Sequence, residues 1–143
     1  MNKDPQTKNA QRVIVTAGAS GIGLAIAQKF LAQGAKVFIC DVMQETLDKA
    51  LSENPGIQGD LADVGVPQQV ETFFAKAIAT MGGIDVLVNN AGIGGPRAKI
   101  EDIDYADWDE CIRINLSGMF YCSKQVISIM KEQNSGCIIN IST

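Results

Sequence analysis

The stretch RVIVTAGASGIGLAIAQKFLAQG, residues 12–34, decides the fold. It begins with a short apolar run rich in Val and Ile, passes through a turn with glycines at 18, 21 and 23, and continues with apolar residues at helical spacing. The first pattern is typical of a buried strand and the last of an amphipathic helix. Gly34 stands where a helix-ending glycine belongs. The stretch therefore predicts a strand, a tight glycine turn and a helix whose N-terminus faces the end of the strand.

The alternation of strand and helix continues along the chain. Strands are predicted over residues 12–17, 35–41, 56–60, 84–92 and 136–143, and helices over residues 21–34, 44–54, 67–82 and 105–133. Buried apolar strands joined by helices predict an α/β fold, a doubly wound parallel sheet with helices on both faces. We expect one domain over residues 12–143, preceded by a disordered polar N-terminus over residues 1–11.

Composition excludes several classes of function. The 143-residue chain has a net charge of −4 and no cluster of basic residues, which argues against a nucleic-acid partner. It has no histidine, so it has no His-based catalytic triad, and we expect no metal site. Four cysteines without C-x-x-C spacing indicate thiols in a reducing cytoplasm. No stretch is long and apolar enough for a membrane span, so we expect a cytoplasmic protein without a membrane partner.

The glycine turn and one acid after it carry the first chemical signal. Glycines let a backbone approach a pyrophosphate, and a helix N-terminus offers it unpaired N–H groups. Asp41 closes the second strand 18 residues after Gly23 (41 − 23), near the spacing at which a carboxylate binds the ribose hydroxyls of NAD. Two structural alternatives stay open. The glycines can serve close packing of helix on strand, and Asp41 can be a solvated acid at a strand end.

Five motifs in order extend this signal over most of the chain. They are TAGASGIG at 16–23, Asp60-Leu61 within GDLADV, NNAG at 89–92, INLSG at 114–118 and GCIINIST at 136–143. Together they resemble the short-chain dehydrogenase/reductase family from about residue 12 to residue 143. The resemblance implies a Rossmann fold that binds NAD(P) at the carboxyl ends of its strands. It also implies hydride transfer between the nicotinamide and an alcohol or carbonyl substrate.

The resemblance also assigns roles by position. Asp41 would hold the adenosine ribose, and its charge favours NAD over NADP. Asn115 would help to hold a water that relays protons, although it can also merely cap or kink the long helix. The hydroxyl that polarises the substrate would be Thr143, which gives two catalytic candidates, Asn115 and Thr143. The cofactor-binding candidates are Gly18, Ser20, Gly21, Ile22, Gly23, Asp41, Asp60, Leu61, Asn90, Ala91 and Gly92.

The sequence departs from the family pattern in three places. Ala17 replaces the first glycine of the turn, and Thr143 replaces a serine. No Tyr-x-x-x-Lys pair is present, since Tyr121 and Lys124 are only three residues apart (124 − 121) and lie on the INLSG helix. We expect the chain to be about the first half of a family member, without its last strands and catalytic helix. As an isolated chain we expect it to be inactive and to form homo-oligomers through the long helix 105–133.

Two other functions remain open at this point. The chain can be a dinucleotide-binding module that catalyses nothing, or a half-protein that needs a partner chain. It can also be another doubly wound enzyme, such as a methyltransferase, whose S-adenosylmethionine site uses a similar turn and acid. The NNAG and INLSG motifs argue against the methyltransferase.

Overall fold

The computed structural model describes residues 10–142. Its strands are β1 Arg12–Thr16, β2 Lys36–Asp41, β3 Ile57–Leu61, β4 Val86–Asn89 and β5 Cys137–Asn140. Its helices are α1 Gly21–Ala32, α2 Gln44–Glu53, α3 Pro67–Met81, α4 Tyr105–Ile112 and α5 Gly118–Glu132. A 3₁₀ turn, Ile100–Asp102, precedes α4, and a π-helical turn, Arg113–Ser117, joins α4 to α5. Thr143 and residues 1–9 lie outside the described residues, so the disordered N-terminus stays a prediction.

The strands form one parallel sheet in the order β3-β2-β1-β4-β5. The chain moves outward from β1 to β3 and then returns to the other side of β1 to place β4 and β5. The direction of winding therefore reverses between β1 and β4. In doubly wound sheets the crevice at this switch point, outside the carboxyl ends of the strands, is where ligands bind. The predicted fold class is confirmed.

Each face of the sheet is covered by its own pair of helices. Along β1, Val13 and Val15 pack into one core with α1 and α2, while Ile14 packs into the other with α3 and α5. This alternation follows from the two-residue period of a strand. Pro67 begins α3, and Gly82, with φ 77°, ends it, as the sequence predicts.

Two features of the last third of the chain differ from what their sequence patterns predict. The predicted helix 105–133 is not uniform, because residues 113–117 form a π-helical turn between α4 and α5. Side chains of this turn bond to the loops after β3 and β4, and π-helical turns are frequent at functional sites. The apolar pattern of β5 is typical of a buried strand, but β5 lies at the sheet edge, as expected if the family's last strands are missing, and its Cys137 and Ile139 are exposed. One face of α5 also leaves Phe120 exposed.

Candidate functional site

The turn between β1 and α1 places helical N–H groups at the switch point. The first hydrogen bond of α1 runs from the N–H of Leu24 to the carbonyl of Ser20, over 3.0 Å. The N–H groups of Gly21, Ile22 and Gly23 therefore precede the intrahelical bonds, at the positive end of the helix dipole. Ser20 caps the helix with an exposed side chain that makes no capping hydrogen bond. This end of α1 is thus equipped to bind an anion.

The three glycines of the turn are explained by different physical requirements. A Cβ on Gly23 would lie 2.1 Å from the carbonyl oxygen of Ala17, and one on Gly18 would lie 2.6 Å from Cγ2 of Ile39. These two glycines allow close packing of loop, helix and strand. Gly21 has φ +50°, and no atom lies within 4 Å of where its Cβ would be. Close packing of helix on strand therefore accounts for Gly18 and Gly23. Gly21 has no neighbouring atom where a side chain would stand, so it leaves one face of the turn open.

Asp41 is more than a solvated acid at the end of β2. Its carboxylate accepts hydrogen bonds from the N–H groups of Val42 at 2.8 Å and of Met43 and Ala19, each at 3.3 Å. The contact with Ala19 fixes the glycine turn against the end of β2. The ribose role of Asp41 stays a prediction, but the carboxylate stands beside the turn, as that role requires.

Thr16 and Asn90 join the carboxyl ends of β1 and β4. The buried Thr16 hydroxyl accepts hydrogen bonds from the N–H groups of Asn90 and Ala91, both at 2.9 Å. The Asn90 amide donates to the carbonyl oxygens of Thr16 at 3.1 Å and of Ala17 at 3.2 Å. Sequence reasoning missed Thr16. The available signal was a threonine that ends a wholly apolar strand directly before the glycine turn.

Asn115 lies in the π-helical turn and holds the loop that follows β4. Its side-chain oxygen accepts from the N–H of Ile93 at 2.8 Å, and its amide nitrogen donates to the carbonyl of Ile93 at 2.9 Å. The same amide nitrogen is 3.3 Å from Sγ of Cys111. The oxygen and the nitrogen of the side-chain amide are therefore both engaged in positioning this loop, and the predicted proton-relay role of the Asn115 main chain stays a prediction.

Asp60 and Leu61, predicted to flank an adenine, lie at the end of β3. The Asp60 carboxylate is 2.5 Å from Nζ of Lys76, and this hydrogen bond lowers the pKa of Asp60. Leu61 is exposed. Neither residue lines the cleft described next, whereas Asp63 does. Their predicted adenine contacts stay predictions.

Six of the thirteen predicted site residues meet in one cleft, which we call the carboxyl-edge cleft. Its larger part, about 390 Å³, is lined by Ile22, Asn90, Ala91, Gly92, Ile93, Gly94, Asn115, Met119, Ile141 and Ser142. A smaller part, about 100 Å³, shares Ala91, Gly92 and Ile93 and adds Ala17, Asp41, Val42, Ala62, Asp63, Val64 and Ile114. The cleft brings Ile22, Asn90, Ala91, Gly92, Asn115 and Asp41 together. Thr143 lies outside the described residues, and its neighbour Ser142 is at the cleft wall.

A hollow at the opposite edge of the sheet is larger, about 720 Å³. Its lining includes Arg12 and Asp85, whose charges pair with each other at 2.8 Å. It lies at the amino ends of β1 and β4, away from the helix N-termini, whereas ligands of doubly wound folds bind at the carboxyl ends. The carboxyl-edge cleft is therefore the candidate site despite its smaller volume.

Within residues 10–142 no group of three His, Cys, Asp or Glu side chains is placed to hold a metal ion. Among the helices described, none is long and apolar enough to span a bilayer. Burial raises the pKa of Cys122 to about 12 and raises that of Cys40 further, which makes these two thiols unreactive.

Comparison with known proteins agrees with this geometry. The sequence profile of the short chain dehydrogenase family matches residues 11–143. A short chain dehydrogenase/reductase of Macrophomina phaseolina is 39% identical over 91% of this chain and 78% of its own length. Levodione reductase of Leifsonia aquatica is 34% identical over 97% of this chain and 55% of its own length.

A solved structure gives the same result. A variant of actinorhodin polyketide ketoreductase, determined with NADPH, superposes with a TM-score of 0.91 at 33% identity. The match covers 96% of this chain and 54% of that one, so the chain spans about half the length of that protein and of levodione reductase. By its sequence, its sheet order and its glycine turn, the chain belongs to the short chain dehydrogenase family.

Proposed function

We propose that this chain is the cofactor-binding half of an NAD(P)-dependent oxidoreductase that acts on an alcohol or carbonyl substrate. The observation that carries the proposal is the open turn before α1, where the N–H groups of Gly21, Ile22 and Gly23 precede the first helical bond. A pyrophosphate fits this turn because Gly21 presents no side chain to it and the helix dipole favours its charge. Ser20 would add its unused hydroxyl.

NAD is the preferred cofactor in this proposal. The Asp41 carboxylate stands where the adenosine ribose would lie, and a negative charge there repels a 2′-phosphate. The Asp41 carboxylate also accepts hydrogen bonds from the N–H groups of Val42 and Met43, which would otherwise be free to bind that phosphate. No Lys or Arg occupies the positions next to Asp41 or position 20. The NADPH in the polyketide ketoreductase belongs to that protein, and NADP is the weaker candidate here.

The bound dinucleotide would supply hydride chemistry at its nicotinamide ring. Of the chain's own residues, Asn90 to Gly92 would lie along the cofactor, and Asn115 and Thr143 would serve the proton relay and the substrate carbonyl. The two tyrosines do not supply the family's catalytic acid. Tyr121 is partly buried against the α3–α5 core, and Tyr105 is exposed at the start of α4. We therefore propose that the isolated chain binds NAD without turning over an alcohol.

Self-association and cellular location complete the proposal. The long α4–α5 segment carries exposed apolar side chains, among them Trp108, Leu116, Phe120 and Ile127, and we propose that a second copy covers them. Cys40, Cys111, Cys122 and Cys137 are all free thiols, which supports a cytoplasmic location.

Calorimetric titration of the 143-residue chain with NAD, NADP and S-adenosylmethionine tests the proposal. We expect binding of NAD, weaker binding of NADP and none of S-adenosylmethionine. Asp41→Ala should weaken NAD more than NADP, while Asp48→Ala, which removes an exposed carboxylate on α2, should change neither. An equal effect of Asp41→Ala on both cofactors would remove the preference for NAD. Tight binding of S-adenosylmethionine without NAD would favour a methyltransferase, and alcohol turnover by the chain would contradict its inactivity.

A further inference from the structure

The π-helical turn Arg113–Ser117 contacts both parts of the carboxyl-edge cleft. Ile114 lines the smaller part beside Asp41, and Asn115 lines the larger part beside Gly92. The turn is also the place where the loop after β3 and the loop after β4 are held to the same piece of helix. Whatever fixes the position of this turn therefore fixes two walls of the cleft at once.

Arg113 fixes the beginning of the turn. Its guanidinium donates to both carboxylate oxygens of Asp63, from Nη1 at 3.1 Å and from Nη2 at 3.0 Å. It also donates to both oxygens of Glu110, one helical turn earlier, at 2.6 and 2.7 Å. The fork of Arg matches a carboxylate in two bonds, which specifies an orientation as well as a distance. Asp63 in turn accepts the N–H of Gly65 at 2.8 Å, so the ion pair is anchored in the loop.

Two glycines let the loop after β3 lie close against the turn at both of its ends. A Cβ on Gly65 would lie 2.1 Å from Nη1 of Arg113, so the guanidinium occupies the space that a side chain would fill. A Cβ on Gly118, directly after the turn, would lie 2.7 Å from Cγ2 of Val64. Loop residues 63–65 are thus in contact with the first residue of the turn and with the residue that follows its last.

The middle of the turn carries the second loop. Asn115 pairs with both the N–H and the carbonyl of Ile93, as described above, and this pairing sets the distance between the π-helical turn and the loop after β4. The connection from Asp63 through Arg113 and Asn115 to Ile93 is therefore continuous through hydrogen bonds and two residues of one helix. It joins the wall near Asp41 to the wall near Gly92.

We propose that Arg113 is a positioning residue for the dinucleotide: by holding the π-helical turn against Asp63, it sets the Asn115–Ile93 contact and so the shape of both parts of the cleft. The inference rests on the proposed binding of NAD, but Arg113 itself lines neither part of the cleft. It acts through Asn115 and Ile114 and not by contact with the cofactor. Loss of Arg113 should therefore alter binding although the glycine turn and Asp41 are intact.

Three variants separate this role from a general loss of stability. Arg113→Gln removes the two-bond pair with Asp63. Gly65→Ala leaves every charge in place and displaces the end of a flexible side chain, which costs the fold little. Arg97→Gln is the control, because it makes the same substitution at an exposed arginine that lies outside the cleft lining.

The first measurement is amide hydrogen exchange of the unliganded 143-residue chain. The N–H of Ile93 should exchange roughly tenfold faster in Arg113→Gln and Gly65→Ala than in the unchanged chain, since its acceptor on Asn115 moves. The N–H of Val15, in the centre of the sheet, reports global opening and should change less than that of Ile93. Arg97→Gln should change neither. Unchanged exchange at Ile93 in both test variants would overturn the proposal whether or not the chain binds NAD.

The second measurement is titration with NADH, followed by the fluorescence of its nicotinamide. Arg113→Gln and Gly65→Ala should each weaken binding roughly threefold to thirtyfold and reduce the emission change on binding, while Arg97→Gln matches the unchanged chain. Equal affinity and emission in all four proteins would contradict the positioning role. Failure of the unchanged chain to bind NADH would instead contradict the proposed function, and the exchange of Ile93 would still decide the role of Arg113.

Discussion

The centre of the sheet and its β5 edge have similar apolar sequences but differ in burial. In β1, Val13, Ile14 and Val15 are completely buried. In β5, which is also apolar and β-branched, Cys137 is exposed and Ile139 is 37% exposed. Strand β1 has a strand on each side and helices on both faces, whereas β5 pairs with β4 alone among the strands of residues 10–142. Burial is therefore decided by the neighbours of a strand and not by its own composition.

The same contrast separates the glycine turn after β1 from the end of β5, at the carboxyl edge of the sheet. The turn at the end of β1 is held by Asp41, Asn90 and the Thr16 hydroxyl, each on or next to a central strand. At the end of β5, the bonds of the described residues include one from the N–H of Ile141 to the carbonyl of Asn89. The proposed pyrophosphate turn therefore follows a central strand, whereas the cleft wall at Ser142 follows the edge strand β5.

The largest expected effect on stability is the difference between truncating an isoleucine in β1 and truncating one in β5. Ile14→Ala should lower the free energy of unfolding by about 2–5 kcal/mol, because it leaves a cavity in a closed core. Ile139→Ala, at the half-covered edge, should cost less than about 1 kcal/mol. Urea unfolding followed by circular dichroism measures both. Equal losses would mean that β5 is covered in solution, and the contrast between the two regions would not hold.

The next effect concerns the bonds that join β1 to β4 at their amino ends. The Asp85 carboxylate accepts from Nε and Nη2 of Arg12 and from the Arg12 N–H, at 2.8–2.9 Å. The hydrogen bond from Arg12 lowers the pKa of Asp85. Asp85→Asn should cost about 1–3 kcal/mol near pH 7, since it weakens charge-assisted bonds that are partly shielded from water.

The contribution of the Arg12–Asp85 pair to stability should also depend on pH. Because the folded pKa of Asp85 is lowered, its contribution is complete above the usual pKa of about 4 and is lost as the pH falls through the lowered value. The difference in unfolding free energy between the unchanged chain and Asp85→Asn should therefore shrink in acid. A difference that stays constant from pH 7 down to pH 2 would show that the charge of Asp85 does not contribute.

A smaller effect, of opposite sign, is expected in the glycine turn. Ala17 replaces the family's first glycine and has φ 48°, in the left-handed region that disfavours a side chain. Ala17→Gly should relieve this strain, although glycine also gains conformational entropy in the unfolded chain, which opposes folding. The net change should raise the free energy of unfolding by about 1 kcal/mol. The urea midpoint measures the change. A lower midpoint would indicate that the Ala17 methyl makes a packing contact worth more than the strain.

The smallest effect on stability is expected at the exposed face of α5. Phe120→Gln combined with Ile127→Gln should change the unfolding free energy of the monomer by no more than about 0.5 kcal/mol per site, because both side chains already face water. The same variant should reduce self-association in sedimentation equilibrium, if a second copy covers this face. Unchanged association would place the contact between copies elsewhere.

Periodicity and glycine placement were enough to predict the fold. The five strands and the ends of α1 and α3 follow from apolar patterns and from Gly34 and Gly82, both with positive φ. The same local signals located the turn and Asp41. These local signals did not predict the π-helical turn, because residues 113–117 have no distinct sequence pattern. The geometry of the turn depends on hydrogen bonds from Asn115 and Arg113 to distant loops.

Contacts between distant residues explain the other omissions. Arg113 and Asp63 are 50 residues apart, and Thr16 and Asn90 are 74 apart. Asp60 appeared free for an adenine in the sequence, and only the packing of α3 beside β3 brings Lys76 to its carboxylate. Motifs therefore indicated the groups that we propose to touch a cofactor, whereas the groups that position them could be identified only from the three-dimensional structure.

The central claim is that a dinucleotide binds at the carboxyl-edge cleft through the turn before α1. The most direct test is a titration of the ¹⁵N-labelled 143-residue chain with NAD, followed by the amide resonances. We expect the largest shifts at the N–H groups of Gly21, Ile22 and Gly23, together with those of Ala91 and Gly92. No shifts, or shifts confined to the hollow near Arg12 and Asp85 at the opposite edge, would contradict it.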